Sequence, residues 1–574
     1  MTSPANHNTF DSLEPEAFRV TGLTSDGIKI PKLAKDILSR LAIRAYKQAD
    51  PCLWVVFLGG TGTGKSTLFN ALCGRSLSAT GVERPKTAGP VAYAHARCSL
   101  GKAFPFPDIH MEPLPLEKAT LPYSGKAGQI SVVTTNDETL SHLILVDTPD
   151  LDSVEEKNHF IARDLYALSD AVVFVASQEK YADEVLHDFF MKVIQDEKPY
   201  FFVLNKASEE TTKEEILNAL QSLSIHGANL WLIPHTTPGT YDRIAVQRPF
   251  IRLKDAFFQS FNREQVHRIK STAGARAAKV LKKDVNKLRS LLDLETRAVN
   301  EWLKQLQELT HLSSIEYVQH QKERFSKTSG QYLRVEIRKL FSRYDLLARP
   351  RRAVRSILKA PLRLMGIARK NRAEDRKAGL LKVRENVAFT PVQETLAKYN
   401  VSVVKDLSPA DEKAPLYQSL RNPHLALTES EIRQYILEAQ EALAGWLEET
   451  FEELAKGIPT GKKVGIYSTS ILWGILILTF EVVVGGGFTV LDAALDSALA
   501  PFVTKGAVEI FAYHEIRKIA KELAIRYQEG LLSVLRRQEE RYINCIQSLT
   551  TTSQAQEALD GLLKRISEQK SYKK

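Results

Sequence analysis

The sequence predicts an α/β domain, a mostly parallel sheet with helices on both faces, joined to a large, elongated α-helical domain. Three observations predict it. Apolar runs of strand length alternate with helical segments between Leu53 and Thr237, the pattern of parallel strands linked by crossover helices. The first run, LWVVFL, leads into a glycine-rich turn and a helix-like LFNALC. Further on the composition changes. Ala275 to Ser329 has neither Gly nor Pro and places Val280, Leu281, Val285, Leu288, Leu292, Trp302, Leu306 and Leu309 at helical spacing, which needs helices longer than a compact α/β domain holds.

Composition narrows the class. A chain of 574 residues has room for about three or four domain-sized units. With 44% hydrophobic and 25% charged residues it reads as globular rather than disordered. The formal charge of +10 is a modest excess, and its placement along the chain says more than its total. Cys52, Cys73, Cys98 and Cys545 have no C-x-x-C spacing and are too sparse for a disulfide framework. They are expected as small core residues in a reducing interior. The start, MTSPANHNTFDSLEPEAF, lacks the basic and then apolar regions of a secretory signal, so a cytoplasmic location is expected. The expected division is a tail and helix over 1–50, a nucleotide domain over 51–245 and long helices over 246–348. A basic segment and hydrophobic tip over 349–510 and C-terminal helices over 511–574 complete it.

Residues 1 to about 15 read as a mobile tail. From Pro31 to Lys47, Leu33, Ile37, Leu41 and Ala45 form one helical stripe; that helix could pack on the nucleotide domain or join a bundle. Leu53 to Leu58 read as a buried strand. Then Gly59, Gly60, Thr61, Gly62, Thr63, Gly64, Lys65, Ser66 and Thr67 satisfy G-x-x-x-x-G-K-[ST]. The glycines allow a tight winding that points successive N–H groups at phosphate oxygens, and the helix that follows adds its positive end. Lys65 is expected on the β- and γ-phosphates and the Ser66 hydroxyl on Mg²⁺. This stretch implies a bound nucleoside triphosphate.

In GVERPKTAGP, Thr87 sits on a non-helical loop where a switch hydroxyl and amide could close on Mg²⁺ and the γ-phosphate; Thr80 competes for that role. VAYAHAR is a plausible strand, and residues 99 to 138 read as an irregular insertion. HLILVDTPDLDSVEE then gives a hydrophobic strand ending in Asp147, placed to hold Mg²⁺ through water. DAVVFVAS, PYFFVLNKAS and NLWLIPHTT supply three further strands, with the helical EVLHDFFMKVIQDE between the first two. The domain is expected to close near residue 245.

The order of phosphate loop, threonine loop, D-T-P-D and then N-K-x-x after a strand resembles the GTPase class of phosphate-loop proteins, over roughly residues 52 to 245. The resemblance implies a Ras-like G domain that hydrolyses GTP with Mg²⁺. By analogy Asn205 tethers the loops, Lys206 lies over the purine and ribose, and His235-Thr236 occupies the last base-side loop. The sequence departs from the family in three places. Asp150 replaces the glycine of D-x-x-G, whose amide contacts the γ-phosphate. Ser208 replaces the aspartate that accepts from guanine, and a hydroxyl cannot supply two charged acceptor sites; Glu209 is a possible substitute. Leu151 stands where a glutamine often orients the attacking water. Hydrolysis is therefore expected to rest on Lys65, Mg²⁺, Thr87 and a group supplied elsewhere, with slow intrinsic turnover raised by self-association.

The helical half holds two unusual stretches. Arg349 to Arg372 carries nine Lys or Arg residues and no acid, which suits either an interfacial helix on anionic lipid or a solvated face. Val464 to Phe480 is an uncharged run of 17 residues, at the lower edge for spanning a bilayer. Beyond Glu481, Gly485 to Gly487 could turn a hairpin that dips into one leaflet; buried core is the alternative. A GTPase domain, long helices and an apolar tip resemble the bacterial dynamin-like proteins. That implies homodimers or higher homo-oligomers and peripheral or monotopic attachment to an anionic membrane. A soluble regulatory switch acting on a protein partner and an RNA- or ribosome-associated GTPase are the rivals. Arg349 to Arg372 has no interleaved aromatics, which counts against nucleic acid.

Overall fold

The computed structural model describes residues 14–80, 89–98, 100, 104–115, 122–123, 126, 128–151, 156–178, 184–222, 225, 229–236, 240–323, 335–336, 339, 389–456 and 507–568. Thr87, the basic stretch 349–372 and the apolar stretch 464–491 lie outside them. The chain forms two units.

The first unit takes Lys32–Arg289 and the segment from Gln554. It opens with α1 (Lys29–Ala49), β1 (Leu53–Gly59), α2 (Lys65–Cys73), β2 (Val91–His95), β3 (His110–Pro115), β4 (Gln129–Thr135) and β5 (Leu143–Asp147). It continues with α3 (Glu156–Leu168), β6 (Ala171–Ser177), α4 (Glu184–Gln195), β7 (Tyr200–Ala207), α5 (Lys213–Ser222) and β8 (Leu230–Pro234). Then come α6 (Tyr241–Ala245), α7 (Arg248–Ser260) and the part of α8 (Arg263–Glu323) up to Arg289. The strands form one sheet in the order β3-β4-β2-β5-β1-β6-β7-β8. Only the β2–β5 pair is antiparallel among them.

The central strands read as unbroken apolar runs because both faces are covered. Trp54, Val56 and Leu58 enter one core with Val172 and Phe174. Leu53, Val55 and Phe57 enter the other with Phe69, Phe257 and Phe261. Helix α1, whose packing the sequence left open, belongs to this unit: Tyr46 meets the Trp54 ring edge-on and Arg40 pairs with Asp284 of α8 at 2.9 Å.

Two expectations fail here. Residues 99–138 are not an irregular insertion, because they contain β3 and β4. QISVVTT has the β-branched content of a strand. HMEPLP is tolerated with two prolines because it lies at the sheet edge. Cys52 and Cys98 are not free core thiols but are bonded to each other, with Cα atoms 6.4 Å apart. Spacing along the chain carries no information on that pairing, since the start of β1 and the turn after β2 meet only in the sheet.

The second unit takes Glu16–Pro31 and Ser290–Ser553. It holds the remainder of α8 with α9 (Phe389–Asp406), α10 (Pro415–Leu420), α11 (Glu429–Lys456) and α12 (Ala507–Ser548); α13 (Ser553–Glu568) falls almost wholly in the first unit. Its core gathers Trp302, Leu306, Tyr399, Leu447, Leu523 and Val534. The Trp302 indole donates to Leu407 O at 2.8 Å. The segment before α1 is pinned to α8 by the buried Glu295 carboxylate. That group accepts from the Thr21 N–H (2.9 Å), the Thr21 hydroxyl (2.5 Å), the Gly22 N–H (3.1 Å) and the Thr24 hydroxyl (2.5 Å). Among the described residues no helix is long and apolar enough to cross a membrane.

Candidate nucleotide site

The C-terminal ends of β1, β5 and β7 converge on one site, the place where an open parallel sheet presents ligands to its crossover helices. From β1 the chain winds through Gly62 (φ 78°) and Gly64 (φ 83°) into α2. Both glycines occupy left-handed backbone, which side chains adopt only with strain. Gly59 presses so closely on β6 that a Cβ would collide with the Val175 carbonyl. The Gly60 carbonyl accepts from the Thr63 N–H (3.3 Å) and hydroxyl (2.9 Å). Thr61, Ser66 and Thr67 stand half-buried along the same turn.

Lys65 is buried at the first position of α2. Its ammonium donates to Asp147 Oδ1 at 2.9 Å and to the Thr148 carbonyl, and pairs with Asp150 Oδ1 at 3.7 Å. Burial alone would push the Lys65 pKa down, but Asp147 and Asp150 outweigh it and hold it above the ordinary lysine value. Asp147 is wholly buried, its second oxygen accepting from the Ser78 hydroxyl at 2.6 Å. Ser78 is fixed in turn by Asn70. The Asn70 amide donates to Ser78 O at 2.8 Å, and its oxygen accepts from the Leu77 and Ser78 N–H groups at 2.9 Å. The Thr148 hydroxyl ties the end of β5 to Phe57 O at 2.7 Å.

On the other side of the loop, Asn205 donates to Thr63 O at 2.9 Å and Lys206 to Gly62 O at 2.8 Å. Lys206 sits at an irregularity of β7 with φ 58°. The Ser208 hydroxyl shares a 2.7 Å hydrogen bond with Thr211. Gln178 Oε1 accepts from the Ser208 N–H and the Thr211 hydroxyl, both at 3.2 Å. The His235 N–H donates to Ala207 O at 3.0 Å, which places His235 beside this turn.

The structure thus brings together the phosphate loop, Asp147, Asp150, Asn205, Lys206 and Ser208; Thr80 is exposed beyond Ser78. Leu151 is buried in the core with its N–H on Gly59 O at 3.1 Å. Sequence reasoning missed Ser78, Asn70 and Gln178. Ser78 follows the α2 helix as an ordinary loop serine, and no spacing rule singles it out.

Residues 54–206 match the family model described as 50S ribosome-binding GTPase. The chain is 30% identical over 200 residues to an uncharacterized protein in the xynA 3′ region of Caldicellulosiruptor sp. (strain Rt8B.4). That match covers 34% of this chain and 47% of the relative, so the chain spans about half the length of the curated relative it matches. Among solved structures, Era in complex with MgGDPNP and 16S ribosomal RNA is 14% identical over 36% of this chain and 56% of that one, with a TM-score of 0.24. A chain of an oligomerised bacterial dynamin pair is 12% identical over 96% of both chains, with a TM-score of 0.33. With its matched segment running from β1 to the base-side turn of β7, the chain carries a P-loop GTPase domain.

Proposed function

We propose that the chain binds and hydrolyses GTP with Mg²⁺ at Gly59–Thr67, and couples nucleotide-dependent pairing of its GTPase domains to the binding or remodelling of an anionic membrane. One observation carries the nucleotide reading: Asn205 and Lys206 are hydrogen-bonded to the phosphate loop itself, so the base-side turn and the phosphate side form one site. The donor set suits Mg²⁺, since the Ser66 hydroxyl and the Asp147 carboxylate are hard oxygens. Mg²⁺ is held by one or two protein oxygens with phosphate and water. Bound there, Mg²⁺ would neutralise charge on the β- and γ-phosphates.

In this reading Lys65 leaves Asp147 for the phosphate oxygens when nucleotide enters. Asp147, still held by Ser78, would then be free to help hold Mg²⁺. Thr87 supplies the switch hydroxyl, and the Asp150 amide faces the γ-phosphate. Ser208 reads the base through a neutral hydroxyl, so guanine is favoured over adenine by less than a carboxylate would give. Leu151 is buried and cannot orient water, which supports slow turnover unless a second copy supplies the missing group. Fluorescent GTP and ATP analogues titrated into wild type and Lys65→Ala test the site. Equal binding in the variant would overturn it.

The membrane half of the proposal rests on the basic run Arg349 to Arg372 and the apolar run Val464 to Phe480. Flotation with anionic liposomes, with and without a non-hydrolysable GTP analogue, tests it; failure to float in every condition favours a soluble switch. The matching family description favours a second reading, association with the large ribosomal subunit. Co-sedimentation with 50S subunits that survives physiological salt would move the assignment there.

A further inference from the structure

A cavity of about 550 Å³ opens within the first unit, at the end of the sheet opposite the phosphate loop. Its walls come from α1, from the residues leading into β6 and β7, and from α8 between Arg268 and Leu281. Apolar side chains line part of it, among them Ile43, Pro199, Ile269 and Val280. Eight Lys or Arg side chains share the lining with only three carboxylates, and two of the eight pair with carboxylates outside it, Arg40 with Asp284 at 2.9 Å and Arg268 with Glu264 at 2.7 Å.

The carboxylates already have partners. Asp170 pairs with Lys47, Glu197 with Arg276 at 2.8 Å, and Asp196 accepts from the Tyr166 hydroxyl at 2.5 Å. The hydrogen bonds of Lys198 go to neutral oxygens: Tyr166 O at 2.5 Å, Ser169 O at 2.9 Å and the Ser169 hydroxyl at 3.0 Å. Lys270 likewise donates to the carbonyls of Asp50 and Cys52. Neutral oxygens orient an ammonium without cancelling its charge. Burial, with Lys47 adding repulsion, pushes Lys198 down to about 7, and burial also lowers Lys270.

The volume lies in the range of small-molecule sites, roughly 300–1,000 Å³. The planar forks of arginine in the wall suit pairs of phosphate oxygens, and the apolar patches need a hydrocarbon or ring to cover them. We propose that this cavity binds a phosphate-bearing small molecule with an apolar body, at a site separate from the phosphate loop. The occupant cancels the positive excess while its body covers the apolar lining.

The test is calorimetric titration of the full chain with octyl phosphate, beside octyl glucoside as a neutral-headed control. The expected result is one octyl phosphate per chain, bound about tenfold or more tightly than the glucoside, as one charge-assisted hydrogen bond or more would give. Arg268→Glu changes an exposed rim position and should weaken binding about tenfold by the same reasoning. Lys198→Met should also weaken it, while Lys65→Ala should leave it unchanged. Thermal melts check that each variant is folded. Flotation with phosphatidic acid vesicles identifies the source. Flotation reduced by Arg268→Glu points to a lipid headgroup, and octyl phosphate binding without flotation points to a soluble ligand; both support the site. Equal affinity for the two octyl compounds, unchanged binding in both Arg268→Glu and Lys198→Met, or loss of binding in Lys65→Ala would each overturn it.

Discussion

Two lysines at opposite ends of one sheet, Lys65 buried and Lys198 half-buried, have moved in opposite directions. Lys65, at the carboxyl ends of the strands, faces Asp147 and Asp150, and its pKa is raised. Lys198, at the amino ends, donates to neutral oxygens, and burial with Lys47 lowers its pKa to about 7 against the pull of Asp170 and Asp196. Burial penalises both ammonium groups; the neighbours decide the sign. A paired charge is kept in place, and in the proposed cycle it would exchange its carboxylates for phosphate. A lysine hydrogen-bonded only to neutral oxygens is less compensated, and that is where the proposed anion would act.

The sharpest way to break the paired end is Lys65→Ala. Loss of the group that reaches the phosphates should lower GTP turnover by about a hundredfold or more, on the scale of a lost transition-state donor. Phosphate release checks it, and unimpaired turnover would sink the site assignment. Next comes Asn205→Ala, which removes the buried tie to Thr63 O. It should cost about 1–3 kcal/mol, read as weaker GTP affinity in an equilibrium titration. Ser78→Ala takes one donor from Asp147. It should cost up to about 2 kcal/mol, seen as a higher Mg²⁺ requirement for nucleotide binding; an unshifted Mg²⁺ titration would reduce Ser78 to packing.

The smallest effect compares the two lysines by pH. Between about 7, its folded pKa, and 10.5, its ordinary value, Lys198 is protonated more in the unfolded chain than in the folded one. Its contribution to stability therefore rises with pH across that window. Lys65, raised above 10.5, is protonated in both states over most of that window and adds no slope until pH nears 10.5, where its contribution begins to fall with pH. Urea denaturation of wild type and Lys198→Met at several pH values should show the wild type gaining stability relative to the variant as pH increases. A constant difference would mean that Lys198 titrates as an ordinary lysine.

Legibility in the sequence followed the same divide. The phosphate loop could be read because its chemistry is local: backbone winding, lysine and hydroxyl all lie within nine residues, Gly59 to Thr67. Asp147 and Asn205 were legible because each ends an apolar strand. Ser78 was not, since its role depends on Asp147 reaching it across the fold, a sequence separation of 69. The basic cavity was hidden for the same reason, with its residues scattered from Arg40 to Leu281. Strands β3 and β4 were misread because Pro, Gly and Lys around them suggest a loop, and only the sheet edge explains how Pro113 and Pro115 are accommodated.

That edge strand bears on how copies of this domain can meet. A proline joins a ladder only where its missing N–H points away from the neighbouring strand. Among the described strands, β3 is bonded to β4 alone, in the register Pro113 to Val132 and Pro115 to Thr134. The outward row of β3 therefore has two gaps where an incoming strand would look for a donor. Such gaps blunt strand addition and the fibrous aggregation that begins with it. Concentrating many copies would not zip their sheets together along that side, so any contact there is left to side chains.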